Sequence, residues 1–518
     1  MNEENLLVDS RRQRIIALSI ISLASFISAF MGSAFSVAAP EMTDPNSSQH
    51  VPGLNEAGMG WIITVYILAT AMLQIPFGKI ADNYGRKKIY LIGISLFTAA
   101  TLVLGFMNSE TTLVIMRFIQ GTGAALAFAT STAILTSVYP QEEKGKAFGI
   151  NIGSVYLGLT IGPSLGGVIV ENFGWRTVFF SVVPFGILIS ILVAFVMKGE
   201  WKNDKKEKID FVGAVIYIIT LFLLLFGFRS INTSYGFYLI GASIFTLILF
   251  ILWERRVVVP ILELNLFKNN RFFTFANLSA FFFYTATSST AFLLNYYLQD
   301  ILFISVSVAG VILLARPVAQ AILSPIGGRL SDRIQHRTLT TIGVLMGLIG
   351  ISLLFSVTQR SSIILVVFGL VFGGIGFGLF SSPNANSIMS SVPKKMYGMA
   401  SALVGTMRTI GQSISLGFAT LMFSVILGKP NDSIQIGFKQ EMFSSSVGRT
   451  SLFPKISELA GWYFPSSFPT HLKISQHNPL LLSAIKIAFA VSLGMAVIAL
   501  ISSYLRGKTD FHKINKEA

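Results

Sequence analysis

The stretch GKIADNYGRKK at residues 78–88 returns in altered form as GRLSDRIQHR at residues 328–337. Gly78 and Gly328 lie as far apart in the chain as Asp82 and Asp332 do. Each stretch follows one apolar run and precedes another. A second echo, TIGPS at 160–164 and TIGQS at 409–413, has nearly the same offset. Two echoes at one offset indicate that a duplication produced two related halves.

The composition indicates the class of protein to which these halves belong. Of 518 residues, 53% are hydrophobic and 12% are charged, whereas a soluble domain has about 45–50% apolar and about 25% charged residues. The mean hydropathy of +0.68 excludes a soluble globular protein and a disordered one. The chain has no cysteine, which excludes disulfides, thiolate metal sites and a cysteine nucleophile. Its five histidines are scattered, so we expect no metal site.

Apolar runs between charged breaks predict an all-α integral membrane protein with about fourteen membrane-spanning helices. A span needs roughly 20 apolar residues. The first run is longer than the about 7–15 residues of a signal peptide's apolar core, so we expect a retained span. The predicted helices lie near 15–38, 59–78, 89–107, 111–136, 146–170, 175–197, 210–228, 236–253, 273–298, 302–326, 338–357, 361–383, 398–427 and 480–505.

The repeat divides these helices into six, two and six. The predicted domains are an N-terminal six-helix bundle at 1–197, a linker with two inserted helices at 198–272, and a C-terminal six-helix bundle at 273–518. The second bundle contains a long polar segment at about 428–479, rich in aromatic residues and proline. Two interpretations of this segment stay open: a cap on the outer face, and a gate for substrate access.

The distribution of basic residues predicts the orientation. The net charge is +15, and Lys and Arg concentrate in alternate loops, beginning with the N-terminal segment. Cytoplasmic loops of membrane proteins carry such an excess. We therefore expect both termini in the cytoplasm, a plasma-membrane location and no binding of nucleic acid.

Three motifs in chain order resemble those of a known family. Residues 78–88 are similar to the loop between helices two and three of major facilitator superfamily transporters. IMRFIQGTGAA at 115–125 resembles the helix-four motif, and GLTIGPSLGG at 158–167 resembles the helix-five motif associated with antiporters. With fourteen predicted helices, the chain most resembles the 14-helix drug:proton antiporter family. The resemblance implies two six-helix bundles plus two inserted helices, and transport by alternating access.

The loop at residues 78–88, here called the motif loop, allows two interpretations. It could be a basic turn that only sets topology, or a conformational latch between the bundles, which the resemblance and the repeat favour. Asn83 stands where the family often has Arg, which could weaken one ion pair. The residues assigned to this gating motif are Gly78, Asp82, Gly85, Arg86, Lys87 and Asp332.

Arg117 lies well inside an apolar helix, where a charge costs at least about 2.5–3.5 kcal/mol, so it should face the bundle interior or water. The alternative is that it snorkels to the outer interface. Gln120 is one turn on and on the same face. Small residues and one proline in the fifth helix allow close helix contact and a bend. They are Gly158, Gly162, Pro163, Gly166 and Gly167.

The resemblance also implies a substrate and coupling site, with one departure from the family. Related exporters carry an Asp in helix one where this chain has Met31, and no Asp or Glu lies deep in any predicted helix. Coupling to H⁺ or Na⁺ remains possible, but the usual proton carrier is missing. The candidate residues for substrate binding and coupling are Arg117, Gln120, Met31, Tyr284, Asn295 and Arg408.

These features predict a monomeric secondary transporter in the lipid bilayer that exports hydrophobic or amphipathic small molecules. Two alternatives stay open: an importer of a small nutrient or anion on the same fold, and a non-transporting receptor. No nucleotide-binding loop or catalytic triad is evident in the sequence, so we expect neither an enzyme nor a cofactor.

Overall fold

The structure is a computed structural model, which describes residues 3–45, 47–203, 207–427 and 479–507. Within these ranges the chain is helical and forms no strand. The predicted outer loop at about 428–479 lies outside the described residues, except for Pro479. The expectation of an all-α membrane protein is confirmed.

Many of the described helices follow one another with short connections, and four connections contain a 3₁₀ or π turn. In chain order they are α1 (Glu3–Thr43), α2 (Glu56–Tyr84), α3 (Arg86–Leu104), α4 (Glu110–Val138), α5 (Lys144–Phe173), α6 (Trp175–Ile191), α7 (Phe211–Arg229), α8 (Ser234–Glu254), α9 (Leu264–Asn269), α10 (Arg271–Thr287), α11 (Thr290–Tyr296), α12 (Val306–Leu313), α13 (Ala315–Ser331), α14 (His336–Phe355), α15 (Ile363–Ser390), α16 (Tyr397–Leu427) and α17 (Pro479–Leu505).

Thirteen helical segments of the described chain are long and apolar enough to cross a membrane. The predicted ninth run is divided into α10 and α11 at Ser288 and Ser289. At this break the Ser289 N–H donates to Ser415 Oγ of α16 at 2.9 Å. The Thr287 carbonyl accepts from Arg316 Nη1 of α13 at 2.6 Å. Because side chains of neighbouring helices satisfy the freed backbone groups, the interruption is tolerated inside the bundle.

Two six-helix bundles and an inserted pair account for this order, as predicted. Helices α1–α6 form the first bundle, and α7 and α8 pack together beside it. Helices α10–α17 form the second bundle as six spans, because α10 with α11 makes up one span and α12 with α13 another. The bundles meet where α2 packs on α16 and α5 packs on α13. Inserted helix α7 contacts both bundles. Its Tyr217 hydroxyl donates to Thr406 on α16 at 3.4 Å, and its Arg229 donates to Thr64 on α2 at 2.6 Å.

The helix-five glycines form the seam between α5 and α1. A Cβ placed on Gly158 would collide with the Phe26 carbonyl, and one on Gly166 would lie 2.7 Å from the Ala34 Cβ. The absence of side chains lets the Ser33 hydroxyl of α1 reach the Gly158 carbonyl at 3.3 Å. The predicted close packing of this helix is therefore present, and its partner is the first helix.

This seam can be tested with a matched pair of glycine substitutions. We expect Gly158→Ala to lower the free energy of unfolding by about 1–3 kcal/mol, the usual cost of overpacking, because the obstructing atom belongs to backbone. Gly32→Ala on α1 is the control, since nothing lies within 4 Å of its added Cβ. The measurement is thermal unfolding of the purified protein in detergent, and equal melting temperatures would contradict the assignment of the seam.

Candidate substrate site and motif-end latch

Asp82 joins the two bundles at the end of the molecule that carries the repeated loops, here called the motif end. Its side chain, 1% exposed, accepts from the Gly398 N–H at 2.8 Å and from the Met399 N–H at 3.2 Å. Both donors lie in the first turn of α16, where N–H groups have no partner within the helix. The positive end of the helix dipole favours a carboxylate there.

Arg86 adds an ion pair and further contacts to this junction. Its Nε and Nη2 donate to Asp82 Oδ1 at 2.9 and 2.7 Å. Nη2 also donates to the Lys394 carbonyl of the second bundle at 2.6 Å, and Nη1 donates to Ser137 of α4 at 2.8 Å. Gly85, between α2 and α3, has a φ of +114°, which L side chains rarely adopt. The turn at Gly85 therefore brings Arg86 back over Asp82.

Asp332 repeats this arrangement with the bundles exchanged. Its carboxylate accepts from the Gly145 and Lys146 N–H groups, in the first turn of α5, at 2.7 and 2.9 Å. Burial raises the pKa of Asp332 to about 6, although these two hydrogen bonds oppose the shift. The duplicated loops thus make two crossed carboxylate contacts, each from one bundle to a helix start in the other.

Paired glycines bring the backbones close enough for these contacts. A Cβ on Gly78 would lie 2.5 Å from the Gly398 carbonyl oxygen, and a Cβ on Gly328 would collide with the Gly145 carbonyl. Small residues at helix crossings allow this approach. The glycine of each repeat therefore places its own aspartate against the opposite helix.

The linker between the bundles docks on the same loop, which the sequence did not predict. Glu200 accepts from the backbone N–H groups of Lys87 and Lys88 at 2.9 and 3.2 Å, at the start of α3. Asn83 donates to the Glu207 carbonyl at 2.8 Å, and Lys79 pairs with the Glu207 carboxylate at 2.5 Å. The amide of Asn83 therefore binds linker backbone. The charge pattern of the linker was the only signal in the sequence.

Arg117 faces the interior of the first bundle, so the snorkelling alternative is wrong. It is 3% exposed and donates through Nη1 to Gln120 at 2.7 Å. Gln120 in turn donates to Thr101 at 2.7 Å. The guanidinium carbon lies 3.7 Å from the centre of the Phe35 ring on α1, a cation–π geometry. Among the described residues, no carboxylate pairs with this cation.

Met31 is buried in the apolar core of the first bundle, 1% exposed. Among the side chains that the structure describes, the buried carboxylates are those of Asp82 and Glu254. Both lie in the last turn or at the last residue of their helices. The expectation that no carboxylate lies deep in a span therefore agrees with the described structure.

Tyr284 lies in an aromatic cluster that both bundles supply. Its ring is 5.2 Å from that of Phe377 on α15. Phe377 also meets Tyr156 of α5, edge to face, at 6.1 Å. Arg316 lies above Phe377, with its guanidinium carbon 5.2 Å from the ring centre. Sequence reasoning selected Tyr284 but missed Tyr156 and Phe377, because one aromatic residue among many carries no positional signal.

Arg408 and Asn295 complete the predicted set, in different surroundings. Arg408 is half-buried on α16, and its guanidinium carbon lies 5.9 Å from the Phe128 ring of α4. One turn on, Gly411 packs against Tyr284 of the aromatic cluster, with 2.9 Å between an added Cβ and the Tyr284 Cβ. Asn295 lies beyond the helix break and accepts a hydrogen bond from Gln299, one turn on.

Comparisons with known proteins agree with this architecture. A family model described as Major Facilitator Superfamily matches residues 21–264 and 276–429. The riboflavin transporter RibZ of Clostridioides difficile (strain 630) is 29% identical over 416 residues, which are 80% of this chain and 89% of RibZ. The multidrug resistance protein Stp of Mycobacterium tuberculosis (strain CDC 1551 / Oshkosh) is 32% identical over 378 residues, 71% of this chain and 69% of Stp.

Two solved structures share the fold. The human organic anion transporter MFSD10 superposes with a TM-score of 0.63 at 13% identity, covering 95% of this chain and 99% of MFSD10. The proton:xylose symporter XylE superposes with a TM-score of 0.59 at 15% identity, covering 84% of this chain and 93% of XylE. At such identities the likeness extends to the fold alone.

The crossed contacts predict a graded response to loss of charge. Removing one partner of a buried ion pair costs about 3–5 kcal/mol, so Asp82→Asn should separate the bundles at the motif end. Asp332→Asn should do so less, because Asp332 forms no ion pair with Arg among the described residues. The measurement is the distance between the two bundles at the motif end. Because the chain has no cysteine, spin labels on Glu142→Cys and Lys395→Cys report this distance by pulsed electron paramagnetic resonance.

Asp44→Asn is the control, because Asp44 is exposed at the far end of α1. It should leave the distance distribution unchanged. An unchanged distribution in Asp82→Asn as well would show that the carboxylate does not hold the bundles together.

Proposed function

Because the chain belongs to the Major Facilitator Superfamily, we propose that it is a secondary active transporter that exports hydrophobic or amphipathic small molecules by alternating access. The observation that carries the proposal is the pair of crossed contacts of Asp82 and Asp332. They close one end of the bundle interface with hydrogen bonds that can break and form again. Relatives named as multidrug resistance proteins support export.

In this proposal the bundles 1–197 and 273–518 rock about a site near the middle of the membrane. The motif end faces the cytoplasm, in keeping with its basic residues, and both termini lie on that side of the plasma membrane. With the motif end closed, substrate leaves at the opposite end. Return to the cytoplasmic-open conformation requires both aspartate contacts to separate.

Ion coupling in this proposal does not use helix one, because Met31 cannot carry a proton. An antiporter driven by H⁺ or Na⁺ would need another group. Vesicles with an imposed pH gradient or an imposed Na⁺ gradient distinguish the two ions.

Import of a nutrient is the second candidate, favoured by the likeness to a riboflavin transporter. Flux measured in both orientations of the vesicle membrane separates import from export.

Neutralising Arg117 tests whether the buried cation of the first bundle takes part in transport. Hydrogen bonds to a charged group contribute about 1.5–3 kcal/mol, so Arg117→Ala should reduce transport roughly 10- to 100-fold. Arg360→Ala is the control, because Arg360 is exposed on the loop before α15. The measurement is counterflow of a substrate panel in proteoliposomes. Normal transport by Arg117→Ala would show that this cation is not needed for transport.

A further inference from the structure

Three guanidinium groups of the described spans lie two turns or more from either end of the span and have no carboxylate partner: Arg117 on α4, Arg316 on α13 and Arg408 on α16. The ion pairs among the described residues are Arg14–Glu143, Lys79–Glu207 and Arg86–Asp82, and none includes these three. Charges inside a membrane protein normally pair with one another or face water. The positive charge inside the spans is therefore not balanced by a carboxylate of the described residues.

The three cations lie beside aromatic rings on both sides of the bundle interface. The guanidinium carbon of Arg117 lies 5.7 Å from the centre of the Tyr66 ring on α2. One turn after Arg408, Gly411 packs against Tyr284, with 2.9 Å between an added Cβ and the Tyr284 Cβ. Tyr284 meets the same ring as Arg316 does. Arg408 therefore lies where the first bundle and the aromatic cluster of the second meet α16. Both bundles contribute cations to this region, here called the positive band, and alternating access needs a substrate site that both bundles share.

Contacts within the protein occupy only some of the donor atoms of these three guanidinium groups. Arg316 uses Nη1 on the Thr287 carbonyl at the helix break, and a carbonyl does not neutralise its charge. Arg117 uses Nη1 on Gln120, but its buried Nε has no hydrogen-bond partner in the described structure. Arg408 forms no hydrogen bond or ion pair in the described part of the chain; its guanidinium carbon lies 5.9 Å from the centre of the Phe128 ring.

The cluster beside Arg316 supplies flat apolar surfaces. Phe377 lies between Tyr156 and Tyr284, and Phe283 packs on both Phe377 and Phe380 at 5.1 and 4.6 Å. Aromatic rings favour offset or edge-to-face contact with another ring. An aromatic ligand can therefore place its ring here and its charged group beside the neighbouring cations.

Building on the proposed transport function, we propose that the substrates are aromatic anions. The ring packs against Tyr156, Phe377 and Tyr284, and a carboxylate or phosphate binds between Arg408 and Arg316. The anion supplies the counter-charge that the described spans lack. Lipophilic cations are disfavoured, because the same band repels them and no described carboxylate receives them.

The test compares ligands that differ in charge but share a ring. Two pairs serve: riboflavin 5′-phosphate with riboflavin, and indole-3-acetate with indole-3-acetamide; ethidium is the cation. Binding to the full-length purified chain is measured by equilibrium dialysis. We expect at least one anion to bind about tenfold more tightly than its neutral partner, and ethidium to bind no better than the neutral compounds. If neither anion binds more tightly, the proposal is overturned.

Substitutions of Arg408 test whether this residue supplies the positive charge that binds the anion. Arg408→Gln should remove the preference for the anion without weakening binding of the neutral partner, whereas Arg408→Lys should retain it. Arg360→Gln should change neither, and melting temperatures confirm that each variant is folded. A preference that survives in Arg408→Gln overturns the assignment to Arg408.

Flux in proteoliposomes separates this proposal from the proposed function. Tight anion binding without flux of any probe would refute transport and leave the site standing. Flux of ethidium but of neither anion would refute the substrate class and leave transport standing.

Discussion

The contact between a carboxylate and the start of a helix in the opposite bundle is the interaction on which the closed arrangement depends. Asp82 and Asp332 each receive two N–H groups that have no partner in their own helix. The helix dipole and the hydrogen bonds from these N–H groups favour the carboxylate. Both contacts need glycines at the crossing, since a single Cβ would meet backbone. The carboxylate contacts between the bundles therefore form only where glycines let the helix backbones approach closely.

The same junction explains why the linker lies where it does. The start of α3 exposes N–H groups at Lys87 and Lys88, and Glu200 satisfies them from the linker. Asn83 exchanges hydrogen bonds with the backbone at Glu207. The linker therefore rests on the first bundle's motif loop. Separation of the bundles must either carry the linker along or break these bonds.

The interior of the bundles differs from the motif end, because a charge removed from water needs a partner. At the motif end each of the two aspartates meets Arg86 or a helix start. The guanidinium groups of Arg117, Arg316 and Arg408 contact an amide, a carbonyl and a ring instead. In the proposed transport cycle these three cations are the groups available to a ligand. A carboxylate at residue 31 would supply a counter-charge in the first bundle, and this chain has methionine there.

Much of the fold could be predicted from the sequence, because each span is an apolar run of membrane length and each repeat carries a glycine and an aspartate. The break after Thr287 could not be predicted. Its signal is only two serines, and the groups that stabilise it, Ser415 and Arg316, come from distant helices. Of the predicted site residues, Arg117 and Tyr284 lie buried inside the bundles, and their role in binding stays a prediction. No sequence signal marks Tyr66, Tyr156 or Phe377, because their position beside the cations depends on helix packing.

The sequence by itself determined the membrane class, the duplicated halves, the inserted pair and the absence of an acid in helix one. These properties depend on composition and spacing, which the chain carries without folding. Only the tertiary structure decided which helix start each aspartate meets, where the linker docks and which aromatic rings surround each cation. Those contacts join residues more than fifty positions apart, and helix packing, with its glycine crossings, selects them.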